Sequence, residues 1–254
     1  MNTKPSESLK RHRAAHTPEA IARRLGRQPV KSYLRDFIYG AIDGAVTTFA
    51  VVAGVQGAGL SSTVIIILGA ANLIADGFSM AVSNFLGTRA EQQQIRRARS
   101  EEERHIRLFP EGEREEIRQI FKAKGFEGEA LDRAVDVITS DMKQWVDTMV
   151  TDELGLTLET RSPWKAGTMT LVAFVIIGAL PLLAFIYHHA AAEGLGNPFL
   201  LSAIMTGAAF FIVGAGKSRF VDESWWRAGL ETVAIGGVAA GLAYLIGMAL
   251  KGWV

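Results

Sequence analysis

The chain has 254 residues, of which 49% are hydrophobic, and its formal net charge is +1. It contains no cysteine, which excludes thiolate metal sites. Charged and apolar residues are strongly segregated along the chain, and that segregation favours a membrane protein over a soluble domain.

The first 35 residues form a polar, basic arm that has no apolar segment of its own. A secretory leader needs such a segment, so none is expected. We expect the arm to be solvated in the cytoplasm, or to touch anionic lipid through its basic side chains.

Five apolar runs follow, and each has about the length that crosses roughly 30 Å of hydrocarbon as a helix. Lys and Arg are concentrated before the first run, between the second and third, and between the fourth and fifth. Because these residues mark the cytoplasmic side, we expect the N-terminus inside and the C-terminus outside. The predicted spans are Phe37–Leu60, Thr63–Thr88, Gly167–Tyr187, Phe199–Gly216 and Ala228–Leu250.

Two carboxylates lie inside these apolar runs, Asp43 in the first and Asp76 in the second. An ionised carboxylate at the centre of a bilayer costs at least about 2.5 kcal/mol, so a chain keeps one there for a cavity, a partner or an ion. The two residues therefore predict an ion or proton path.

Asp76 belongs to a stripe on the second span, in which Asn72, Asp76, Met80 and Asn84 recur every four residues and share a helix face. A thioether among oxygen ligands suits a borderline or soft transition metal better than Mg²⁺ or Ca²⁺. The alternative is that the polar members bond to neighbouring helices while Met80 fills space.

Glycine pairs and one proline shape the spans. Gly40 and Gly44, like Gly237 and Gly241, have the four-residue spacing that lets helices approach closely. Pro181 predicts a kink in the third span.

Residues 89–166 form a hydrophilic insert that holds 17 of the 26 acidic residues. Gln92–Arg107 is predicted to continue the second span, a short helix around Ile117 to end at Gly125, and one long amphipathic helix to run from about Gly128 to Val150. The expected domains are the arm at 1–35, the first two spans at 36–90, a helical metal-binding domain at 91–165 and the last three spans at 166–254.

Acidic residues of the insert cluster where helical spacing stacks them. Carboxylates and an imidazole on facing helices are how helical bundles build metal sites, although such a face is more often merely solvated. The candidate ligands are Glu102, His105, Glu113, Glu116, Met149 and Glu153, with Asp152 as a helper.

At these residues the chain resembles the vacuolar iron transporter family. The matching segments are DGAVTTFAVVAG, from Asp43 to Gly54, and NLIADGFSM, from Asn72 to Met80. The layout of five spans with a helical insert after the second is similar too, so the resemblance extends over residues 35–250.

The resemblance implies a proton-coupled exporter of Fe²⁺, and also of Mn²⁺, from the cytoplasm to a vacuole or to the outside. It implies a homodimer whose ion path lies between the two copies of the first span, with Asp43 and Met80 as path residues. In the insert it implies metal binding by Glu102, Glu113, Glu116, Met149 and Glu153.

Two positions depart from the family pattern. Members often have Gly-Glu-Tyr where this chain has Ser83-Asn84-Phe85, so a carboxylate is missing and ion access or proton coupling can differ. His105 stands where a glutamate is expected, which can alter the metal preference of the insert.

We therefore expect an all-α membrane protein with five transmembrane helices and a three-helix cytoplasmic domain between the second and third. The expected function is export of Fe²⁺ first and Mn²⁺ second. We expect a homodimer embedded in membrane lipid. We expect no enzyme activity, no prosthetic group and no nucleic-acid partner. The lack of a leader favours the inner (plasma) membrane. A non-transporting metal sensor and a transporter of another divalent cation are the alternatives.

Overall fold

The computed structural model describes residues 7–26, 32–158, 161–190, 196–219 and 222–253, and within these ranges it contains helices and no strand. Two helices that we did not predict, α1 (Glu7–Ala15) and α2 (Pro18–Leu25), lie in the arm, which forms a unit of its own. Thr17 begins α2, since its hydroxyl accepts a hydrogen bond from the Ala20 amide at 3.2 Å.

The next two helices, α3 (Leu34–Ala58) and α4 (Ser62–Leu108), are joined by a turn at residues 59–61 and so run antiparallel. The turn uses Gly59 in the left-handed region, with φ of 75°, to end α3. With 47 residues, α4 is about 70 Å long, more than twice the thickness of the hydrocarbon. The prediction that the second span continues through Gln92–Arg107 is confirmed.

The insert contains the end of α4, then α5 (Pro110–Ala123), α6 (Gly128–Thr139), α7 (Met142–Thr148) and a π-helical turn at Met149–Glu153. Their apolar faces enclose one core, formed by Ala98, Ile106, Ile117, Leu131, Val135, Trp145, Val146, Met149 and Val150.

The prediction of one long helix from Gly128 to Val150 is wrong. The chain breaks between α6 and α7, where Asp141 accepts a hydrogen bond from the Gln144 amide at 2.8 Å and starts a new helix. The apolar spacing continues across the break, so periodicity alone could not reveal it.

The remaining apolar helices are α8 (Pro163–Gly178), α9 (Leu180–Ala190), α10 (Pro198–Lys217) and α11 (Trp225–Leu250). A bend of 44° separates α8 from α9, and Pro181 lies at the start of α9. The predicted kink is confirmed, and the Ser202 hydroxyl donates to the Pro181 carbonyl at 2.7 Å. Over the described residues, four helices are long and apolar enough to cross a membrane, and the bent pair would make a fifth span.

The central helix of the apolar bundle is α3, which packs against α4, α8, α9, α10 and α11. A Cβ atom on Gly40 or Gly44 would collide with carbonyl oxygens of α8, so the close approach predicted for this pair is confirmed. Its neighbour is α8 of the same chain. A Cβ atom placed on Gly237 or Gly241 would meet no described atom of another helix within 4 Å.

The outer faces of α4, α10 and α11 are apolar and exposed. Contiguous apolar surface of this kind suits hydrocarbon surroundings and would be a liability in water. Large side chains on these faces include Ile74, Phe78, Ile204, Ile212, Ile235 and Val238.

Candidate functional site

A polar seam runs between α3 and α4 inside the apolar bundle, and we define it as Asp36 and Asp43 on α3 with Asn72, Asp76, Met80 and Asn84 on α4. The antiparallel register is fixed where the Asn84 Nδ2 donates to the Asp36 Oδ1 at 3.0 Å. Asp43 lies seven residues after Asp36 on α3, and Asp76 lies eight residues before Asn84 on α4. The same register therefore brings Asp43 and Asp76 close enough for their charges to interact.

The stripe predicted on α4 is half-buried at all four positions in the single chain. Met80 packs against the apolar core and also lines a cavity of about 220 Å³. The buried amide nitrogen of Asn72 has no hydrogen-bond partner. For Asn84 the structural alternative is correct, because its amide donates to Asp36 and, at 2.7 Å, to the Thr170 hydroxyl of α8.

Asp36 is a third carboxylate of the seam, and the predicted spans did not include it. It is buried, and the Arg161 Nη1 lies 3.0 and 2.9 Å from its two oxygens. The span was predicted to begin at Phe37, which left Asp36 outside. A usable signal was present, because Asp36 precedes Asp43 by seven residues and therefore shares its helix face.

Arg161 reaches Asp36 from the segment that joins the insert to α8. The Arg161 carbonyl accepts a hydrogen bond from the Gln92 side chain of α4 at 2.7 Å, and the next amide, that of Ser162, donates to the Tyr33 hydroxyl at 3.0 Å. These bonds hold the segment against the start of α3 and the middle of α4.

In the insert, five predicted metal ligands lie within electrostatic range of one another. Glu102 and Glu113 are buried, whereas His105, Glu116 and Glu153 are exposed. The His105 Nδ1 is 3.9 Å from the Glu113 Oε1, and the Glu113 Oε2 is buried without a hydrogen-bond partner.

These neighbours shift the acidity of the insert carboxyls. Burial, followed by the charges of Glu116 and Glu102, raises the pKa of Glu113 to about 7. Burial also raises the pKa of Glu102, where His105 opposes the shift and Glu116 adds to it. Glu153 is exposed overall, yet partial desolvation and then the charges of Glu102 and Glu116 raise its pKa. Glu113 therefore exchanges a proton near neutral pH, and a cation bound beside it could displace that proton.

Two other predicted ligands are engaged elsewhere. Met149 is fully buried in the apolar core of the insert, and Asp152 is ion-paired with the Lys124 Nζ at 2.6 Å. In the parts of the chain that the structure describes, no three His, Asp or Glu side chains are grouped so that they could hold a metal ion. Metal binding by the insert would need its side chains to close on the ion.

A family profile described as the VIT family matches residues 34–248, a range that holds the whole seam and the insert. The chain belongs to the VIT family. Residues 1–33 of the arm lie outside the match.

Curated relatives agree with this assignment. The vacuolar iron transporter of Toxoplasma gondii is 33% identical over 226 residues, which cover 86% of this chain and 74% of the relative. Vacuolar iron transporter 1 of Arabidopsis thaliana is 30% identical, covering 84% of each chain, and that of Eucalyptus grandis is 30% identical, covering 86% of each.

The prediction of an inner (plasma) membrane location is wrong. These relatives are named for the vacuole and not for the plasma membrane. The composition of the basic arm, on which the prediction was based, does not distinguish one membrane from another.

Proposed function

We propose that this VIT family member is a proton-coupled transporter that carries Fe²⁺ first and Mn²⁺ second out of the cytoplasm, and that it is not an enzyme. The observation that carries the proposal is the antiparallel register of α3 and α4, which brings Asp43 within electrostatic range of Asp76, one helical turn from Met80, inside an apolar bundle. The names of the relatives support iron as the substrate.

The proposed mechanism uses the carboxylates of the seam as exchange sites. Two carboxylates at close range repel each other in an apolar bundle, so a divalent cation or a proton stabilises the pair. Ligands must be deprotonated to bind metal, so protons arriving from the far side weaken binding and release the ion. The Met80 thioether favours Fe²⁺ over the hard cations Mg²⁺ and Ca²⁺.

The proposed layout has α3, α4, the bent pair α8–α9, α10 and α11 as five spans, with the insert on the cytoplasmic side. We propose a homodimer with the path between two copies of α3. Asp43, Asp76 and Met80 are half-buried in the single chain, which leaves part of each for a partner. Because α8 fills the face of Gly40 and Gly44, the partner would approach α3 by another face.

The proposed role of the insert is to collect metal before transport. Its ligands would be Glu102, His105, Glu113, Glu116 and Glu153. Of these, Glu113 exchanges its proton near pH 7. For Asp152 to help, it would have to leave Lys124, and Met149 would have to turn its sulphur out of the core.

The test is metal flux into liposomes that contain the purified protein, with and without an imposed pH gradient. We expect flux of Fe²⁺ and then Mn²⁺, accelerated by the gradient, and none of Mg²⁺ or Ca²⁺. Equal flux of all four cations would favour a general divalent-cation transporter. Metal binding without any flux would contradict the proposal and favour a membrane metal sensor.

A further inference from the structure

The seam continues past Met80 to a carboxylate that the proposed path does not use. Asp36 and Asp43 are two helical turns apart on one face of α3, about 10 Å along the axis. On α4, Met80 lies one turn from Asn84, which bonds to Asp36. Asp36 therefore extends the row of ligands toward the end of the bundle that joins the insert.

A cavity connects Asp36 to Met80. It has a volume of about 220 Å³ and is lined by both residues together with Asn84, Glu91 and Arg161. At about 30 Å³ per water molecule, this volume accommodates about seven waters, which is enough for a hydrated divalent cation. An ion in this cavity would meet Asp36 before it met the Met80 sulphur.

Arg161 covers the carboxylate on its outer side. The Asp36 side chain is 5% exposed, whereas that of Arg161 is 28% exposed, so the cation lies between the carboxylate and solvent. One guanidinium nitrogen contacts both carboxylate oxygens. These are the oxygens that a metal ion would need, so Arg161 and a metal ion compete for the same atoms.

We propose that Asp36 is a further ion-path ligand, on the insert side of Met80, and that Arg161 masks it until a divalent cation displaces the guanidinium. This inference rests on the proposed transport function and adds a residue and a form of regulation to it. Because Arg161 is anchored through its carbonyl to Gln92 of α4, a change in the insert could move the mask.

The position of Asn84 fits this role. An ionised glutamate there could not donate to Asp36 and would repel it, whereas the Asn84 amide donates at 3.0 Å. Asp36 thus supplies, at the same level of the seam, the negative charge that the chain lacks at residue 84.

The test is a double-mutant cycle on the full-length protein in liposomes, with the half-saturating Fe²⁺ concentration as the readout. A site that is unmasked one-tenth of the time binds about tenfold more weakly than a free one, so Arg161→Gln should lower the half-saturating concentration by up to about tenfold. Asp36→Asn should raise it, and Asp36→Asn/Arg161→Gln should match Asp36→Asn alone.

Two control variants separate masking from general charge effects. Arg161→Lys keeps a cation that can contact both oxygens and should behave like the wild type. Lys165→Gln removes an exposed cation from the same end of α8, and its effect should stay below about twofold because solvent screens it. If Arg161→Gln cannot be purified, the comparison of Asp36→Asn with the double variant remains, since the double variant leaves no uncompensated buried charge.

The outcomes are distinct. The inference is overturned if Arg161→Gln still lowers the half-saturating Fe²⁺ concentration when Asp36 is Asn. It is also overturned if Arg161→Gln has no effect when Asp36 is present. Equilibrium Mn²⁺ binding, followed by electron paramagnetic resonance, is measured in parallel. If the wild type binds Mn²⁺ but carries no flux, the proposed function fails, and the binding affinities of the same four proteins still decide whether Asp36 is a masked ligand.

Discussion

The seam and the insert both bring carboxylates together from neighbouring helices, but they do so in different surroundings. In the seam, the register of α3 and α4 brings Asp43 within electrostatic range of Asp76 in an apolar bundle. In the insert, Glu116 and Glu153 are exposed, whereas Glu102 and Glu113 are buried. The seam is held in place by helix register, whereas the insert can adjust by taking up or releasing protons.

One helix links the two regions. Met80 and Glu102 both lie on α4, 22 residues and about 33 Å apart. A rigid connection of this length can position the insert over the seam without bringing their ligands together. We therefore propose that the insert captures metal and that the seam passes it through the membrane.

The largest effect is expected for Asp43→Asn, which keeps the shape of the side chain and removes its charge. Metal flux should fall by at least about 100-fold, the upper end of what disruption of a metal site costs. The control is Glu231→Gln, which makes the same chemical change on α11. The Glu231 carboxylate is exposed and pairs with Lys217. Flux near the wild-type level in Asp43→Asn would remove the seam from the path.

A smaller effect is expected when the insert loses three carboxylates. In the full-length protein, Glu113→Ala, Glu116→Ala and Glu153→Ala together should lower the number of bound Mn²⁺ ions at pH 7.5, measured by calorimetry. Flux should slow by about tenfold and should not vanish, because the affinity of a collecting site changes capture and leaves the path intact.

A matched triple variant controls for net charge on the insert. This control removes three exposed carboxylates of the same insert, Glu111, Glu127 and Glu129.

Complete loss of flux in the variant that lacks Glu113, Glu116 and Glu153, although its seam residues are unchanged, would show that capture and passage are not separate.

Met80→Leu should sharpen the role of the seam in selectivity. The exchange conserves volume, so the free energy of unfolding should change by less than about 1.5 kcal/mol. Loss of the thioether should lower Fe²⁺ flux about threefold relative to Mn²⁺ flux, because sulphur favours the softer ion. Met205→Leu, at a half-buried position of α10, is the control. An unchanged ratio of the two fluxes would make Met80 a packing residue.

The smallest effect concerns pH and the insert. Because the folded-state pKa of Glu113 is raised from 4.5 to about 7, the protonated carboxyl stabilises the fold below about pH 4.5, and this stability is lost as the pH rises through 7. The loss is on the order of 1–3 kcal/mol. The melting temperature should fall less between pH 4.5 and 8 in Glu113→Gln than in the wild type. At pH 8, Mn²⁺ should restore the melting temperature of the wild type. Identical pH profiles would contradict the assignment.

Much of the membrane region could be predicted from local patterns. The length of the apolar runs predicted the helices of the bundle, and Pro181 predicted the bend. The spacing of Gly40 and Gly44 predicted a closely packed neighbouring helix. These features depend on a few residues along one helix. The partner of the glycine pair, α8, could not be read from the same pattern.

What the sequence missed depends on contacts between distant residues. Asp36 is buried because Arg161 and Asn84, far away along the chain, reach it. The break between α6 and α7 is a local exception, because the side-chain cap at Asp141 that starts α7 lies within a continuous apolar spacing. Asp152 resembled a ligand by its neighbours, yet Lys124 pairs with it.

The most direct test of the account is simultaneous recording of Fe²⁺ movement and luminal pH in the same liposomes. We predict that Fe²⁺ entering one compartment drives protons the other way, that Asp43→Asn abolishes both signals together, and that the insert triple variant slows both and keeps their ratio. Fe²⁺ flux without counter-movement of protons, or a proton-to-metal ratio that changes with the insert, would contradict it.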